Sequence, residues 1–141
     1  MTVHVISEQD FVPRAKAACA RAVETVLPRR HVVVALVDDK VIAKLHREFL
    51  GKPGATDVLS FPDGQIVVSA QTAAREAAAR DVRARDELLL YVVHGALHLK
   101  GYDDRSPAQR KRMRAAERRC LRKLGLGDVF GDGRPPRRRK R

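Results

Sequence analysis

The sequence predicts an α+β fold, a single small domain in which helices pack on a mixed sheet of about four strands. First, the chain has 141 residues, of which 44% are hydrophobic and 33% charged, enough apolar residues for one core and little room for a second domain. Second, short β-branched runs occur in its first half. Third, apolar residues follow helical spacing after Ser69.

The strands are predicted from apolar runs and one turn. Val3–Ile6 is the first, and Val32–Val37 is an unbroken aliphatic run typical of a strand covered on both faces. Asp57–Phe61 and Gln65–Ser69 are two more, joined by the turn sequence Pro-Asp-Gly at 62–64.

Helices are predicted between and after these strands. Residues 7–10, Ser-Glu-Gln-Asp, resemble a capping box for the first helix, which Pro28 ends, and Asp38 can cap the second. The helical pattern after Ser69 is too long for one helix in a domain of this size, so we expect a break between Arg80 and Asp86.

The last two predicted helices have the clearest sequence signals. Residues 86–100 are apolar almost all round, which predicts a central buried helix. The final helix has Ser106 as its N-cap and Gly125 after its end. Residues 1–126 are therefore predicted to form the domain, and residues 127–141, rich in Gly, Pro and Arg, a disordered basic tail.

Nothing in the sequence predicts export or membrane insertion. Cys19 and Cys120 lack C-x-x-C spacing, which favours free thiols in a reducing compartment. The N-terminus has no basic segment followed by a long apolar one, and the most apolar stretch, Leu88–Leu99, is too short to span a bilayer. We therefore expect a cytoplasmic protein.

A candidate metal site lies on the predicted buried helix. His94 and His98 are four residues apart, so both imidazoles share one helical face. Gly101 permits a sharp turn towards Asp104, and His-x-x-x-His-x-x-Gly-x-x-Asp is spacing that returns a third ligand to one ion. Three ligands leave a tetrahedral position open, as a catalytic site needs. Asp103 is the alternative third ligand, and satisfied core histidines are the alternative to a metal.

The same stretch excludes a standard metalloprotease. Gly95 stands where such enzymes carry the glutamate general base. No residue is assigned as a general base here, because Asp57 and Ser60 are explained equally well as a strand-edge cap or a turn residue.

The formal net charge of +12 arises in the C-terminal third. The chain has 14 basic and 14 acidic residues up to Asp104, against 15 basic and 3 acidic residues from Arg105 on. The final helix region sets Glu117 among nine bases: Arg105, Arg110, Lys111, Arg112, Arg114, Arg118, Arg119, Arg122 and Lys123. Such crowding is self-repelling and favours an anionic partner, with a solvated helix face as the alternative. A membrane is disfavoured because the apolar stripe lacks large anchors.

Three blocks resemble one family. Residues 93–104, VHGALHLKGYDD, are similar to the signature H-G-x-L-H-L-x-G-Y-D-H of the YbeY-type bacterial rRNA-maturation endoribonucleases. Residues 55–62, ATDVLSFP, resemble that family's P-T-D-V-L-S-F-P, and His-Arg-Glu-Phe at 46–49 resembles its N-R-E-Y. The likeness runs in order over residues 32–124. It implies a small α+β fold, a zinc-type ion held by three histidines, and action on ribosomal RNA in the bacterial cytoplasm.

The resemblance implies a metal-dependent endoribonuclease in 16S rRNA processing and ribosome assembly or quality control. Its partners would be RNA, the ribosome and a ribosomal or assembly-factor protein, with no membrane. The expected cofactor is one divalent ion, Zn²⁺ first, held by His94, His98 and Asp104. The predicted RNA contacts are Arg47, Arg105, Lys111, Arg112 and Arg114. The alternatives are a non-catalytic RNA- or ribosome-binding protein with a structural metal, and a metal hydrolase acting on a small anion.

Three positions depart from the family pattern. Asp104 stands where the family has its third histidine, Leu50 where it has an arginine, and Gln65 where it has an acidic residue. A carboxylate ligand adds negative charge, so the ion is a weaker Lewis acid than under three imidazoles. An oxygen ligand also widens the choice towards manganese or iron.

Overall fold

Two strand–helix units come first, a pair of consecutive strands follows, and three helices complete the described part of the chain. The computed structural model describes residues 3–7, 12 and 14–127. Its elements are β1 (Val3–Ser7), α1 (Ala15–Val26), β2 (Val32–Val37), α2 (Asp39–Leu50), β3 (Val58–Phe61), β4 (Gln65–Ser69), α3 (Ala70–Arg80), α4 (Ala84–Lys100) and α5 (Pro107–Lys123). Residues 128–141 of the predicted tail lie outside the described residues.

The four strands form one mixed sheet in the order β1-β2-β4-β3. β2 pairs in parallel with β1 and with β4, so that Val34 lies between Val5 and Ile66. β3 and β4 are antiparallel across the predicted turn, where the Gly64 N–H donates to the Phe61 carbonyl at 2.9 Å. The α+β class with a sheet of four strands is confirmed.

The two faces of the sheet are covered by different helices. Residues such as Val34 and Val68 belong to the main core, which includes buried residues of α1, α4 and α5. Alternate positions point the other way, and there Leu59 and Val67 pack with Ile42 of α2. Helices α2 and α4 therefore lie on opposite faces.

α4 is the central buried helix that the sequence predicts. It packs against α1, α3, α5 and the sheet, and most of its residues from Glu87 to Leu97 are buried. A Cβ atom at Gly95 would lie 2.7 Å from Ile66 Cγ2 and 3.0 Å from Val58 Cγ2. Glycine thus permits the close approach of this helix to β3 and β4.

Helix boundaries agree with expectation except at the first helix. The break falls between Arg80 and Ala84, and α5 has the capping box of Ser106 and Gln109. The predicted capping box at residues 7–10 places the start of α1 too early, and its first residue, Ser7, is the last residue of β1, in register with Leu36. α1 begins at Ala15, and residues 8–11 lie outside the described residues.

Arg30 joins three parts of the fold. Its Nη1 donates to the carbonyl of Leu99 at 3.0 Å, near the end of α4, and its Nη2 donates to the carbonyl of Pro62 at 2.6 Å. One side chain therefore ties the C-terminal end of α4 to the turn between β3 and β4.

Among the described helices, none combines the length and apolar character that a bilayer crossing requires.

Candidate metal centre

Three polar side chains converge at the end of α4. Nε2 of His98 lies 3.1 Å from Nε2 of His94, and Oδ2 of Asp104 lies 3.6 Å from the His94 atom and 3.4 Å from the His98 atom. Each side chain is 27–41% exposed, so solvent reaches the centre of the group. These are the three residues that the sequence predicts as ligands.

The spacing of these atoms fits a metal ion. A tetrahedral zinc with bonds of about 2.0–2.1 Å separates its ligand atoms by about 3.3 Å. The observed separations of 3.1, 3.4 and 3.6 Å lie around that value. Two imidazoles and a carboxylate also form a donor set that zinc and other divalent transition metals accept.

Local sequence explains how Asp104 reaches the two histidines. Gly101 follows α4 with φ at 115°, a conformation that favours glycine, and its N–H donates to the His98 carbonyl. The chain therefore reverses within three residues. Asp103 points elsewhere, since its Oδ1 accepts from the Asp104 N–H at 2.8 Å and its Oδ2 lies 3.4 Å from Nε of Arg105.

Glu117 on α5 completes the centre, and sequence reasoning missed it. Nδ1–H of His94 donates to Oε2 of Glu117 at 2.5 Å, and the Glu117 side chain is only 8% exposed. A carboxylate only accepts, so this bond directs the other ring nitrogen, Nε2, towards His98 and Asp104. The available signal was a lone acidic residue on the apolar side of an otherwise basic helix.

The same contacts raise the pKa of His94. Burial opposes the charged form, but the hydrogen bond and negative charge of Glu117, with smaller contributions from Asp57 and Asp104, outweigh it and leave the pKa above the ordinary value. His94 therefore holds a proton more firmly than a solvated histidine does when no cation occupies the centre.

A cleft of about 400 Å³ opens beside the centre between α3, α4 and α5. His94, Asp104 and Glu117 line it together with Arg110 and Arg114. Deeper in the cleft, Nη1 of Arg80 lies 2.7 Å from Oε1 and 2.8 Å from Oε2 of Glu87, which is 1% exposed. The centre thus faces a polar cleft that carries both carboxylates and guanidinium groups.

The predicted RNA contacts fall in different places. Arg114 lines the cleft, while Arg112 lines a second cavity together with Lys100 and Asp103. Arg105 lies beside Asp103, and Lys111 is exposed and lines neither cavity. Arg47 is on α2, across the sheet from the metal centre, so the structure does not bring it to this site.

The remaining candidates have structural contacts. Asp57 lines the cleft, but its Oδ1 also accepts from the Val58 N–H at 2.8 Å, as a strand-edge cap does. The Ser60 hydroxyl donates to the Gly95 carbonyl at 2.9 Å and so joins β3 to α4. Leu50 is 56% exposed at the end of α2 and does not line the cleft.

Fold and centre together define a class: a small α+β domain whose central helix and following turn present a two-histidine, one-carboxylate donor set at an open cleft. The sequence model of the family Endoribonuclease YbeY matches residues 4–125. The chain therefore belongs to the Endoribonuclease YbeY family, and the family predicted from the sequence motifs is confirmed.

Relatives named Endoribonuclease YbeY are similar over most of the chain. That of Rhodopirellula baltica is 41% identical over 79% of this chain and 63% of its own length, so the match spans slightly less than two thirds of that relative. That of Anaeromyxobacter is 38% identical over 97% of this chain and 80% of its own length. A solution structure of a Thermotoga maritima protein has the same fold, with a TM-score of 0.59, 24% identity and coverage of 91% of this chain and 98% of that one.

Proposed function

We propose that this protein is a metal-dependent endoribonuclease that hydrolyses phosphodiester bonds in RNA. The observation that carries the proposal is the convergence of His94, His98 and Asp104, with separations suited to one ion, beside a cleft lined by arginines. Membership of a family named for endoribonucleases supports RNA as the substrate class.

In the proposed reaction, negative charge develops on the phosphodiester that is cleaved, and the site has to stabilise that charge. A divalent ion bound by the three side chains supplies electrostatic stabilisation for the negative charge that develops there during hydrolysis. Glu117 holds the His94 ring in the orientation that directs Nε2 to the centre. Asp104 places a negative charge in the same group, so we expect a lower cleavage rate than with a third imidazole.

The finer assignments extend this proposal. We propose Zn²⁺ as the ion, rRNA precursors as the substrate, and the ribosome with an assembly or ribosomal protein as partners in the cytoplasm. The two histidines favour zinc, while the Asp104 carboxylate leaves manganese and iron as competitors to be compared in the assay. The excess of bases after Arg105 supports a polyanionic partner. We also propose Arg105, Lys111, Arg112 and Arg114 as RNA contacts of the α5 region, and Arg47 as a separate contact on α2.

The test compares RNA cleavage by metal-analysed wild-type protein with cleavage by His98→Ala. We expect the variant to lose the ion and at least about a hundredfold of the rate. His31→Ala is the matched control, because His31 is an exposed histidine outside the centre, and it should behave as wild type. Equal cleavage by His98→Ala contradicts the proposal. RNA binding without cleavage by metal-loaded wild type would instead favour the non-catalytic RNA-binding alternative.

A further inference from the structure

The turn that carries Asp104 contributes lining residues to two cavities. Asp104 lines the cleft with Arg110 and Arg114, and Asp103 lines a second cavity of about 320 Å³. Because Asp103 and Asp104 are consecutive, neighbouring residues of this turn line the two cavities. We refer to residues 101–104 as the ridge, and its residue Asp104 is the one in the metal centre.

Each cavity carries its own pair of bases. Arg110 and Arg114 are four residues apart, so both point to the cleft side of α5. Arg112 lies about 200° round the helix from Arg110, and it lines the second cavity with Lys100 of α4. The periodicity of α5 thus divides these bases between the two cavities.

Arg110 is held next to the metal centre. Its Nη1 donates to the carbonyl of Asp104 at 3.3 Å and to the carbonyl of Arg105 at 3.2 Å. A guanidinium has five N–H donors, and these two bonds use only one of its nitrogens. The group is therefore positioned for bidentate contact with a phosphate beside the ligands.

The cleft carries several carboxylates, so an anionic substrate needs nearby positive charges in order to bind there. Besides the Arg80–Glu87 pair, four carboxylates line the cleft and repel a phosphodiester that approaches the centre: Asp57, Glu76, Asp104 and Glu117. The positive charges of Arg110 and Arg114 offset part of this repulsion. In the second cavity the carboxylate of Asp103 lies 3.4 Å from Nε of Arg105, which balances its negative charge. Lys100 and Arg112 then give this cavity an excess of positive charge.

We propose that a single strand of RNA crosses this ridge, with the phosphate to be cleaved held by Arg110 and Arg114 at the metal centre and a neighbouring phosphate held by Lys100 and Arg112 in the second cavity. This inference rests on the proposed function and adds the path of the strand. It assigns Arg110 and Lys100 to substrate binding and gives Arg112 and Arg114 different roles.

The two pairs can be separated by substrate length. A dinucleotide with one phosphodiester reaches only the cleft, whereas a single-stranded 12-mer reaches both cavities. Arg110→Ala/Arg114→Ala should therefore lower kcat/KM by about tenfold or more on both substrates. Lys100→Ala/Arg112→Ala should leave the dinucleotide unchanged and raise KM for the 12-mer by at least about threefold. The control Lys16→Ala/Arg21→Ala removes two exposed bases of α1 and should change neither.

Metal content and thermal unfolding are measured for every variant and should match wild type. A fall in metal content of the Arg110 variant would show that this residue positions Asp104 and would overturn its phosphate role. Equal kinetics of the Lys100/Arg112 variant and wild type on the 12-mer would overturn the second contact, as would an equal loss on both substrates.

Binding distinguishes this inference from the proposed function. Fluorescence anisotropy of the metal-loaded protein with the 12-mer gives the dependence of affinity on salt. Loss of one phosphate contact to single-stranded RNA should reduce the slope by about 0.7 for either pair. If each double variant shows the reduced slope but the wild type cleaves no RNA, the proposed function fails and the path of the strand stands. If the wild type cleaves RNA and both double variants keep the wild-type slope, the path fails and the function stands.

Discussion

Oε2 of Glu117 lies 2.5 Å from Nδ1 of His94, although the two residues are 23 positions apart in the chain. The contact joins α4 to α5 and places a buried carboxylate behind the candidate metal centre. In metal sites such a partner fixes the tautomer and orientation of the ligating ring and increases its basicity. The last helix therefore contributes to the centre as well as to the basic surface.

Glu117→Gln is expected to weaken metal binding by about 10–100-fold, because it removes the charge that orients and polarises His94. The dissociation constant is measured by competition with a chromophoric chelator. Glu48→Gln makes the same change on the exposed side of α2 and should leave the constant unchanged. An affinity equal to wild type in Glu117→Gln would show that the contact does not support the centre.

Metal affinity should depend on pH through His94. An ion must displace the proton on this imidazole, so affinity falls as the pH drops below the pKa of His94, by about tenfold per unit. Because that pKa is raised, the fall should begin at a higher pH than for an ordinary histidine. Glu117→Gln removes the main charge that raises the pKa, so the onset should move to lower pH. Chelator competition between pH 5 and 8 measures both onsets, and coincident onsets would contradict this expectation.

Gly95→Ala is expected to destabilise the fold by about 1–2 kcal/mol. The added methyl group would meet the buried side chain of Ile66 and the half-buried side chain of Val58, and this crowding outweighs the gain of about 1 kcal/mol in helix propensity. Urea unfolding measures the free energy. In an Ile66→Ala background the nearest contact is absent, so Gly95→Ala should cost less there. If the losses in unfolding free energy of Gly95→Ala and Ile66→Ala were additive, contact between the new methyl group and Ile66 would not be the cause of the destabilisation.

Arg30→Ala is expected to lower stability by about 1–3 kcal/mol, because the carbonyls of Leu99 and Pro62 both lose their guanidinium donor. Metal affinity should fall with it, since Leu99 adjoins His98 at the end of α4. Arg30→Lys can donate from one nitrogen only, so its stability should lie between that of wild type and that of Arg30→Ala. The control is Arg29→Ala, an exposed neighbour. Equal urea midpoints for the Arg29 and Arg30 variants would contradict this role.

Much of the fold is readable from the sequence because its signals are local. The aliphatic run at 32–37, the turn at 62–64 and the caps of α5 each depend on residues near in sequence, and each lies where it was predicted. The start of α1 was misplaced, because the helix begins at Ala15, after Arg14 in the left-handed region, and not directly after the pattern that begins at Ser7.

The sequence by itself brought two histidines together and left Asp103 and Asp104 as candidates for the third donor, between which the structure decided. His94 and His98 share a helical face by spacing alone, and the glycine turn that returns Asp104 is also local. Only the tertiary structure decided what surrounds them. Packing of α5 on α4 brings Glu117 to His94 and divides the bases between two cavities, and packing of α2 on the opposite face of the sheet takes Arg47 away. The physical reason is that these relations depend on which faces of distant elements bury against one another, and the periodicity of one element does not specify its partner.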